Sequence, residues 1–215
     1  LNWSNAADRI WAGPDWWCNR LHDWRVRDNT LECIAPARAA GLSVHLDGAR
    51  VFNAATALGC ELTEIAGRFD TVSICLSKGL GAPVGSVLVG PADLIDRARR
   101  WRKMVGGGMR QAGVLAAAGL HALDHNVARL AEDHARAEAL ASALRDLGAG
   151  SVEQDTNMVF FTPATGENAA LGMALAKHGV VISAGGTGAI RMVLHKDVTD
   201  EGLNGAIAAF QTFFS

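Results

Sequence analysis

Lys78 is the residue in this sequence best suited to covalent chemistry with a carbonyl group. It follows the β-branched run TVSICLS (71–77) and precedes the glycine-rich segment Gly79-Leu80-Gly81-Ala82-Pro83. We therefore expect Lys78 at the carboxyl end of a buried strand, which is where open α/β sheets bind their ligands. A lysine amine in an apolar setting is a nucleophile toward carbonyls and forms Schiff bases with them.

Asp47 and Arg50 extend this chemistry. Asp47 ends the short apolar strand SVHLD (43–47), and Arg50 follows three residues later. A Schiff-base lysine that works with pyridoxal phosphate (PLP) also needs an acid beside the pyridine nitrogen, and Asp47 could supply it. The residues alone leave a second interpretation open, in which Lys78 is a solvated loop lysine and Asp47 a turn acid.

The elements that must position these residues alternate between strands and helices, which is typical of an α/β chain. Besides the two strands above, the patterns predict a strand at 86–90 and helices at 31–40, 53–58, 61–67, 91–104 and within 109–147. A second series follows, with strands at 158–162, 180–183 and 189–195 and helices at 167–178 and 200–213. Thr199 is the expected N-cap of the last helix.

The first 30 residues differ from the rest of the chain. Five of the six tryptophans lie in the first 24 residues, and neither a helical nor a strand period is present there. We therefore divide the chain into an atypical N-terminal extension (1–30), a larger α/β portion (31–148) and a smaller C-terminal α/β domain (149–215).

Three long segments resemble the low-specificity L-threonine aldolases, which are PLP enzymes of the aspartate-aminotransferase fold type I. They are VHLDGAR (44–50), SKGLGAPVGS (77–86) and RKMVGGGMRQAG (102–113). The resemblance covers residues 31–148 closely and continues more loosely through IRMVLHKDVTDE (190–201). It implies part of the large PLP-binding domain, followed by the small domain.

By that resemblance, Lys78 would form the Schiff base and Asp47 would keep the pyridine nitrogen protonated. Arg50 would contact the ring oxygen and the substrate carboxylate, and Arg191 would be the second carboxylate-binding arginine. Lys103 and Arg110 would contribute charge to a substrate or phosphate site. The reaction implied is aldol cleavage of L-threonine or L-allo-threonine to glycine and an aldehyde, in a cytoplasmic homodimer or homotetramer.

The resemblance starts only near residue 31. Members of the family have a preceding portion with a phosphate-binding loop and a histidine that stacks on PLP, and residues 1–30 do not resemble it. Two alternatives therefore stay open: a non-catalytic truncated fragment of such an enzyme, and another fold type I lyase or aminotransferase.

Composition and charge exclude other classes of function. The net charge is −2, from 20 Lys+Arg and 22 Asp+Glu, so a dedicated nucleic-acid or membrane-surface protein is not indicated. No apolar run is long enough to span a membrane. Cys18, Cys33, Cys60 and Cys75 lack CxxC spacing, which favours reduced thiols in a cytosolic protein. His121 and His125 are spaced i,i+4 but lack a HExxH pattern, so we predict no metal site.

Overall fold

The computed structural model describes residues 25–27, 30–32, 34–186 and 188–215. Contacts divide the chain into two compact units. The first contains residues up to Gly48, Thr63–Ser73 and Leu88–Gly107; the second contains Ala49–Leu62, Ile74–Val87 and Gly108–Ser215. The predictions about residues 1–24, including the tryptophan-rich segment, lie outside the described residues.

Short strands and helices make up the first unit. Its elements are β1 (Arg25–Arg27), β2 (Thr30–Glu32), α1 (Ile34–Ala39), β3 (His45–Gly48), α3 (Leu62–Ala66, of which Leu62 falls in the second unit) and α4 (Ala92–Met104). β1 and β2 pair antiparallel, with Val26 opposite Leu31. The predicted helix at 31–40 is therefore wrong at its start, because Leu31 and Glu32 are paired in this hairpin and the helix begins only at Ile34.

A three-stranded sheet has the order β3, β4 (Thr71–Cys75), β5 (Ser86–Val89). Asp70, the residue before β4, forms two hydrogen bonds with Val44. Its Oδ2 accepts a hydrogen bond from Val44 N at 2.7 Å, and its own N–H donates to Val44 O at 2.8 Å. His45 Nδ1 lies 2.8 Å from Thr71 Oγ1. These contacts join the residues before and at the start of β3 to the start of β4.

The second unit contains most of the helical mass and an antiparallel sheet. Its remaining elements are α2 (Val51–Leu58), α5 (Gly113–Asn126), α6 (Leu130–Asp146), β6 (Gly150–Asp155), β7 (Met158–Pro163), α7 (Asn168–Lys177), β8 (Ile190–Val193) and α8 (Asp200–Phe214). The sheet order is β6-β7-β8. A two-residue turn at Thr156 and Asn157 joins β6 to β7, and Asp155 pairs with Met158 across it.

The main core of the second unit lies where this sheet meets α6, α7 and α8. Phe161 of β7 is fully buried and makes edge-to-face contacts with Phe210 and Phe214 of α8, with ring centroids 6.0 and 5.8 Å apart. Ile190 and Met192 of β8 are also buried in it. Because alternate residues of a strand point to opposite faces, Arg191 and Val193 share the other face of β8.

Two elements of the second unit differ from the sequence prediction. The predicted strand at 180–183 is wrong: Val180 and Ile182 pack on the core without strand pairing, and Val181 is exposed. β6 was not predicted, because Val152 is its only large aliphatic residue and the polar Glu153 and Gln154 hide the alternating pattern.

Candidate functional site

Lys78 lies in a loop that begins after Leu76. Hydrogen bonds between backbone groups of the loop close it. Gly81 N donates to Lys78 O at 2.8 Å, and Ala82 N donates to Leu76 O at 2.9 Å. Gly81 has a φ of +70°, in the left-handed region that glycine adopts without strain. The sequence Lys-Gly-Leu-Gly therefore forms a tight turn that fixes the backbone of Lys78.

Two contacts from the helices hold this turn in place. Leu80 is buried with Ala122 of α5 and Leu130 of α6, and Asn126 Nδ2 donates to Leu80 O at 2.7 Å. Gly79 is close-packed, because a Cβ atom there would lie only 2.9 Å from Leu130 Cδ2. The backbone beside Lys78 is thus anchored by buried groups, while the Lys78 side chain is exposed.

Lys78 lines a cavity of about 370 Å³ within the second unit. The lining residues are Arg50, Ser77, Lys78, Gly79, Gly81, Ala82, Asn157, Val193, His195, Lys196 and Asp197. This volume lies within the range of about 300–1,000 Å³ that small-molecule sites occupy. The segment after β8 thus contributes to the same cavity as the lysine turn, although more than a hundred residues separate them in sequence.

Arg50 lines this cavity together with Lys78. It directly precedes α2, and its carbonyl accepts a hydrogen bond from Ala54 N at 3.0 Å. The first turn of α2 buries Val51 and Asn53, so the residue before the helix has a fixed backbone. The structure therefore brings two of the three predicted catalytic residues to one cavity.

The other four predicted site residues lie elsewhere in the chain. Asp47 lies in β3 and Lys103 in the last turn of α4, both exposed and both in the first unit. Arg110 precedes α5 and Arg191 lies on β8; both are exposed. Among the described residues of the second unit, neither Arg110 nor Arg191 lines the cavity, but Arg191 shares a strand face with the lining residue Val193.

Sequence reasoning missed a charged triplet in the cavity wall. His195, Lys196 and Asp197 follow β8 after one intervening residue, Leu194. Lys196 Nζ lies 3.2 Å from Asp197 Oδ1, and His195 Nδ1 lies 3.5 Å from Asp197 Oδ2. The hydrogen bond from Lys196 holds the pKa of Asp197 below its usual value. A run of three charged or titratable residues close to the end of a strand was the available signal.

Asn157 supports this triplet from the β6–β7 turn. Its side chain is buried, and its Nδ2 donates to Leu194 O at 2.7 Å. Leu194 N donates to Asn157 O at 2.8 Å. The Oδ1 atom of Asn157 is buried and has no hydrogen-bond partner among the described residues. Asn157 thus fixes the residue immediately before the triplet.

Within the ranges that the structure covers, no cluster of three or more His, Cys, Asp or Glu side chains is arranged to hold a metal ion. His121 and His125 lie side by side on α5, with ring centroids 4.4 Å apart. Over the same ranges, no helix is long and apolar enough to span a membrane.

Comparisons with known proteins agree with the fold. Residues 26–166 match the beta-eliminating lyase family. The low specificity L-threonine aldolase of Escherichia coli K12 is 52% identical over 196 residues, which cover 90% of this chain and 58% of that relative. The chain thus spans little more than half of the curated relative it matches.

Two solved structures have a similar backbone. A candidate L-allo-threonine aldolase from Listeria monocytogenes superimposes with a TM-score of 0.71 at 20% identity, covering 84% of this chain and 54% of that one. SPT, solved with PLP, gives a TM-score of 0.61 at 20% identity, covering 84% and 49%. These likenesses confirm the predicted fold, a mixed α/β part of the fold type I architecture. The chain belongs to the beta-eliminating lyase family.

Proposed function

We propose that this chain carries the lysine of a PLP-dependent aldolase, which cleaves L-threonine, L-allo-threonine and related β-hydroxy amino acids to glycine and an aldehyde. The observation that carries the proposal is the cavity shared by Lys78 and Arg50. Its relative in Escherichia coli, named a low specificity L-threonine aldolase, is 52% identical over most of this chain.

The residues of the cavity fit PLP by their chemistry. Lys78 offers an amine on a backbone that the Lys78–Gly81 turn holds in place. Arg50 adds a guanidinium to the lining, which suits the negative charge of a carboxylate. Gly79 and Gly81 line the cavity with backbone alone. When bound, PLP would supply an electron-accepting ring.

The chain's own residues would bind and orient the amino acid. In this proposal Lys78 would hold the cofactor through its amine. Arg50 fixes the substrate carboxylate, because a guanidinium fork binds both carboxylate oxygens in one plane. A fixed carboxylate would set the torsion about Cα and so the direction of the Cα–Cβ bond that is cleaved. Asp47 would pair with the protonated pyridine nitrogen, and Arg191 would give the carboxylate its second contact.

The remaining parts of the proposal concern the whole protein. Lys103 and Arg110 would provide charge near the phosphate or substrate, in a homodimer or homotetramer. Light scattering of the purified protein tests the assembly. A cytoplasmic location is part of the same proposal and rests on the resemblance, and cell fractionation tests it.

Reductive trapping tests the proposed lysine. The protein is mixed with PLP and reduced with borohydride, and the adduct is located by peptide mass spectrometry. We expect selective labelling of Lys78 that disappears in Lys78→Ala and persists in Lys177→Ala, whose lysine lies at the end of α7. Labelling spread evenly over Lys103, Lys177 and Lys196 would contradict the proposal and would favour a non-catalytic fragment.

A substrate panel separates the proposed reaction from others of the same fold type. Threonine and allo-threonine should give acetaldehyde and glycine. Serine and a keto acid serve as comparison substrates for a β-eliminating lyase and an aminotransferase. Turnover of the keto acid without cleavage of threonine would contradict the aldolase assignment.

A further inference from the structure

Lys196 lies across the turn that carries Lys78. A Cβ atom at Gly81 would be 2.6 Å from Lys196 Cε and 2.8 Å from Lys196 Cδ. The Lys196 carbon chain therefore occupies the space above Gly81 that any larger residue would fill. Because Gly81 N is hydrogen-bonded to Lys78 O, the two lysines belong to one small patch of the cavity wall.

The ammonium of Lys196 contacts Asp197 but can still bind a second anion. Its contact with Asp197 Oδ1, at 3.2 Å, joins side chains that are 41% and 68% exposed. Ion pairs this exposed are only weakly stabilising, so a second anion can share the ammonium at little cost. An ammonium donates three hydrogen bonds, and Asp197 accepts one of them.

The proposed function gives no binding role to Lys196. The lining has three cationic side chains, Arg50, Lys78 and Lys196, and one carboxylate, Asp197. The proposed reaction uses Lys78 for the covalent bond and Arg50 for the α-carboxylate. A substrate with only one carboxylate gives the ammonium of Lys196 nothing further to bind.

We propose that Lys196 is a specificity-determining residue that binds an acidic group at the end of the substrate side chain. The pocket then favours β-hydroxy amino acids with a second carboxylate, such as 3-hydroxyaspartate, relative to a pocket without this ammonium. The expected effect of Lys196 on substrate turnover rests on the proposed function. A phosphate is also attracted by an ammonium. The experiment therefore measures the binding of a carboxylate and the binding of a phosphate separately.

Calorimetric binding of succinate, without PLP, is the first measurement. Succinate has two carboxylates and no amine, so its binding does not depend on a Schiff base. We expect Lys196→Met to weaken succinate binding about tenfold and Lys196→Arg, which retains the positive charge, to weaken it less. Lys177→Met removes an exposed lysine elsewhere and should leave binding unchanged. Thermal melting checks that each variant is folded.

Equal succinate affinity in the wild type and in folded Lys196→Met would overturn the proposal. So would a loss of affinity for inorganic phosphate or PLP in Lys196→Met with succinate binding retained, because Lys196 would then serve the cofactor.

Kinetics are the second measurement. The ratio of kcat/KM for 3-hydroxyaspartate to that for threonine should fall about tenfold in Lys196→Met and stay constant in Lys177→Met. An unchanged ratio overturns the proposal. If the wild type cleaves neither amino acid while succinate binding still depends on Lys196, the proposed function fails and the anion contact of Lys196 stands.

Discussion

Arg129 binds the fully buried carboxylate of Asp133 with two hydrogen bonds. Arg129 Nη2 donates to Oδ1 at 2.6 Å, and Nη1 donates to Oδ2 at 3.2 Å. Arg136 adds a longer contact, 3.9 Å from Nη1 to Oδ1. Asp133 also lies in the first turn of α6, where the helix dipole favours a negative charge. This pair fixes the start of the helix that packs against Gly79 through Leu130.

Replacing Arg129 should therefore destabilise the protein strongly. Arg129→Met leaves the buried carboxylate with only the distant Arg136, and breaking a buried pair in this way costs about 3–5 kcal/mol. Urea unfolding measures the loss. Arg99→Met is the matched control, because its pair with Asp96 is exposed and should contribute less than about 1 kcal/mol. Equal losses in the two variants would contradict the assignment of Arg129.

Gly79 should not tolerate a larger side chain. In Gly79→Ala the new methyl group would lie 2.9 Å from Leu130 Cδ2 and 3.2 Å from Asn53 Oδ1, both partly constrained by packing. Overpacking of this kind costs about 1–3 kcal/mol. Gly205→Ala is the control: nothing lies within 4 Å of its Cβ position on α8, so it should stabilise the helix by up to about 1 kcal/mol. Thermal unfolding of both variants tests the contrast, and a stable Gly79→Ala would refute it.

Burial lowers the pKa of His134, although Asp133 and Asp155 act in the opposite direction. Its Nε2 lies 3.2 Å from Asn53 Nδ2, and the unprotonated ring accepts that hydrogen bond. As the pH falls below about 6.5, the unfolded chain binds a proton that the folded chain resists. Stability should therefore decrease on acidification from about pH 6.5 down to the lowered pKa of the folded state.

His134→Gln should flatten this dependence. Urea midpoints measured from pH 7.5 to 5.5 in the wild type and the variant test the expectation. His178→Gln, at an exposed ring after α7, should retain the slope of the wild type. Parallel curves for the wild type and His134→Gln would show that His134 is not the responsible group.

Asn157→Asp should destabilise the segment that carries the charged triplet. The substitution replaces the donor to Leu194 O with a carboxylate oxygen in a buried position, and a lost buried partner costs about 1–3 kcal/mol. Hydrogen exchange at the Leu194 amide should also accelerate, because Asn157 O is its acceptor. Asn204→Asp, exposed on α8, should change stability by about 0.5 kcal/mol or less. Unaltered exchange at Leu194 would contradict the role of Asn157.

Elements with a strong local signal were predicted well from the sequence. α4 was expected at 91–104 and occupies Ala92–Met104. Thr199 was expected to cap the last helix, and its Oγ1 accepts a hydrogen bond from Gly202 N at 3.1 Å. Both depend on residues within one helical turn, so the local sequence contains the information. The apolar run at 180–183 misled the prediction, because whether a strand forms depends on a neighbour to pair with.

The residues of the cavity also fall into two groups, those in local sequence motifs and those placed by contacts between distant segments. Lys78 and Arg50 stand in long local motifs, and those motifs are the basis for predicting them as site residues. Lys196 and Asn157 were not, because each acquires its place through a contact with a distant segment: Lys196 with Gly81, and Asn157 with Leu194. Their residue types are ordinary for loops, and only tertiary packing makes them part of the cavity.

Two segments that are far apart in sequence form the cavity wall, so the wall is completed late in translation. Arg50 and Lys78 leave the ribosome well before the residues that follow β8. At about 5–20 residues per second, several seconds separate the two halves of the wall. A nascent chain arrested between α6 and β8 would present the lysine turn without Lys196 and Asp197 beside it. Arrested chains of increasing length should therefore acquire succinate binding abruptly, once the residues after β8 have emerged, rather than in proportion to length.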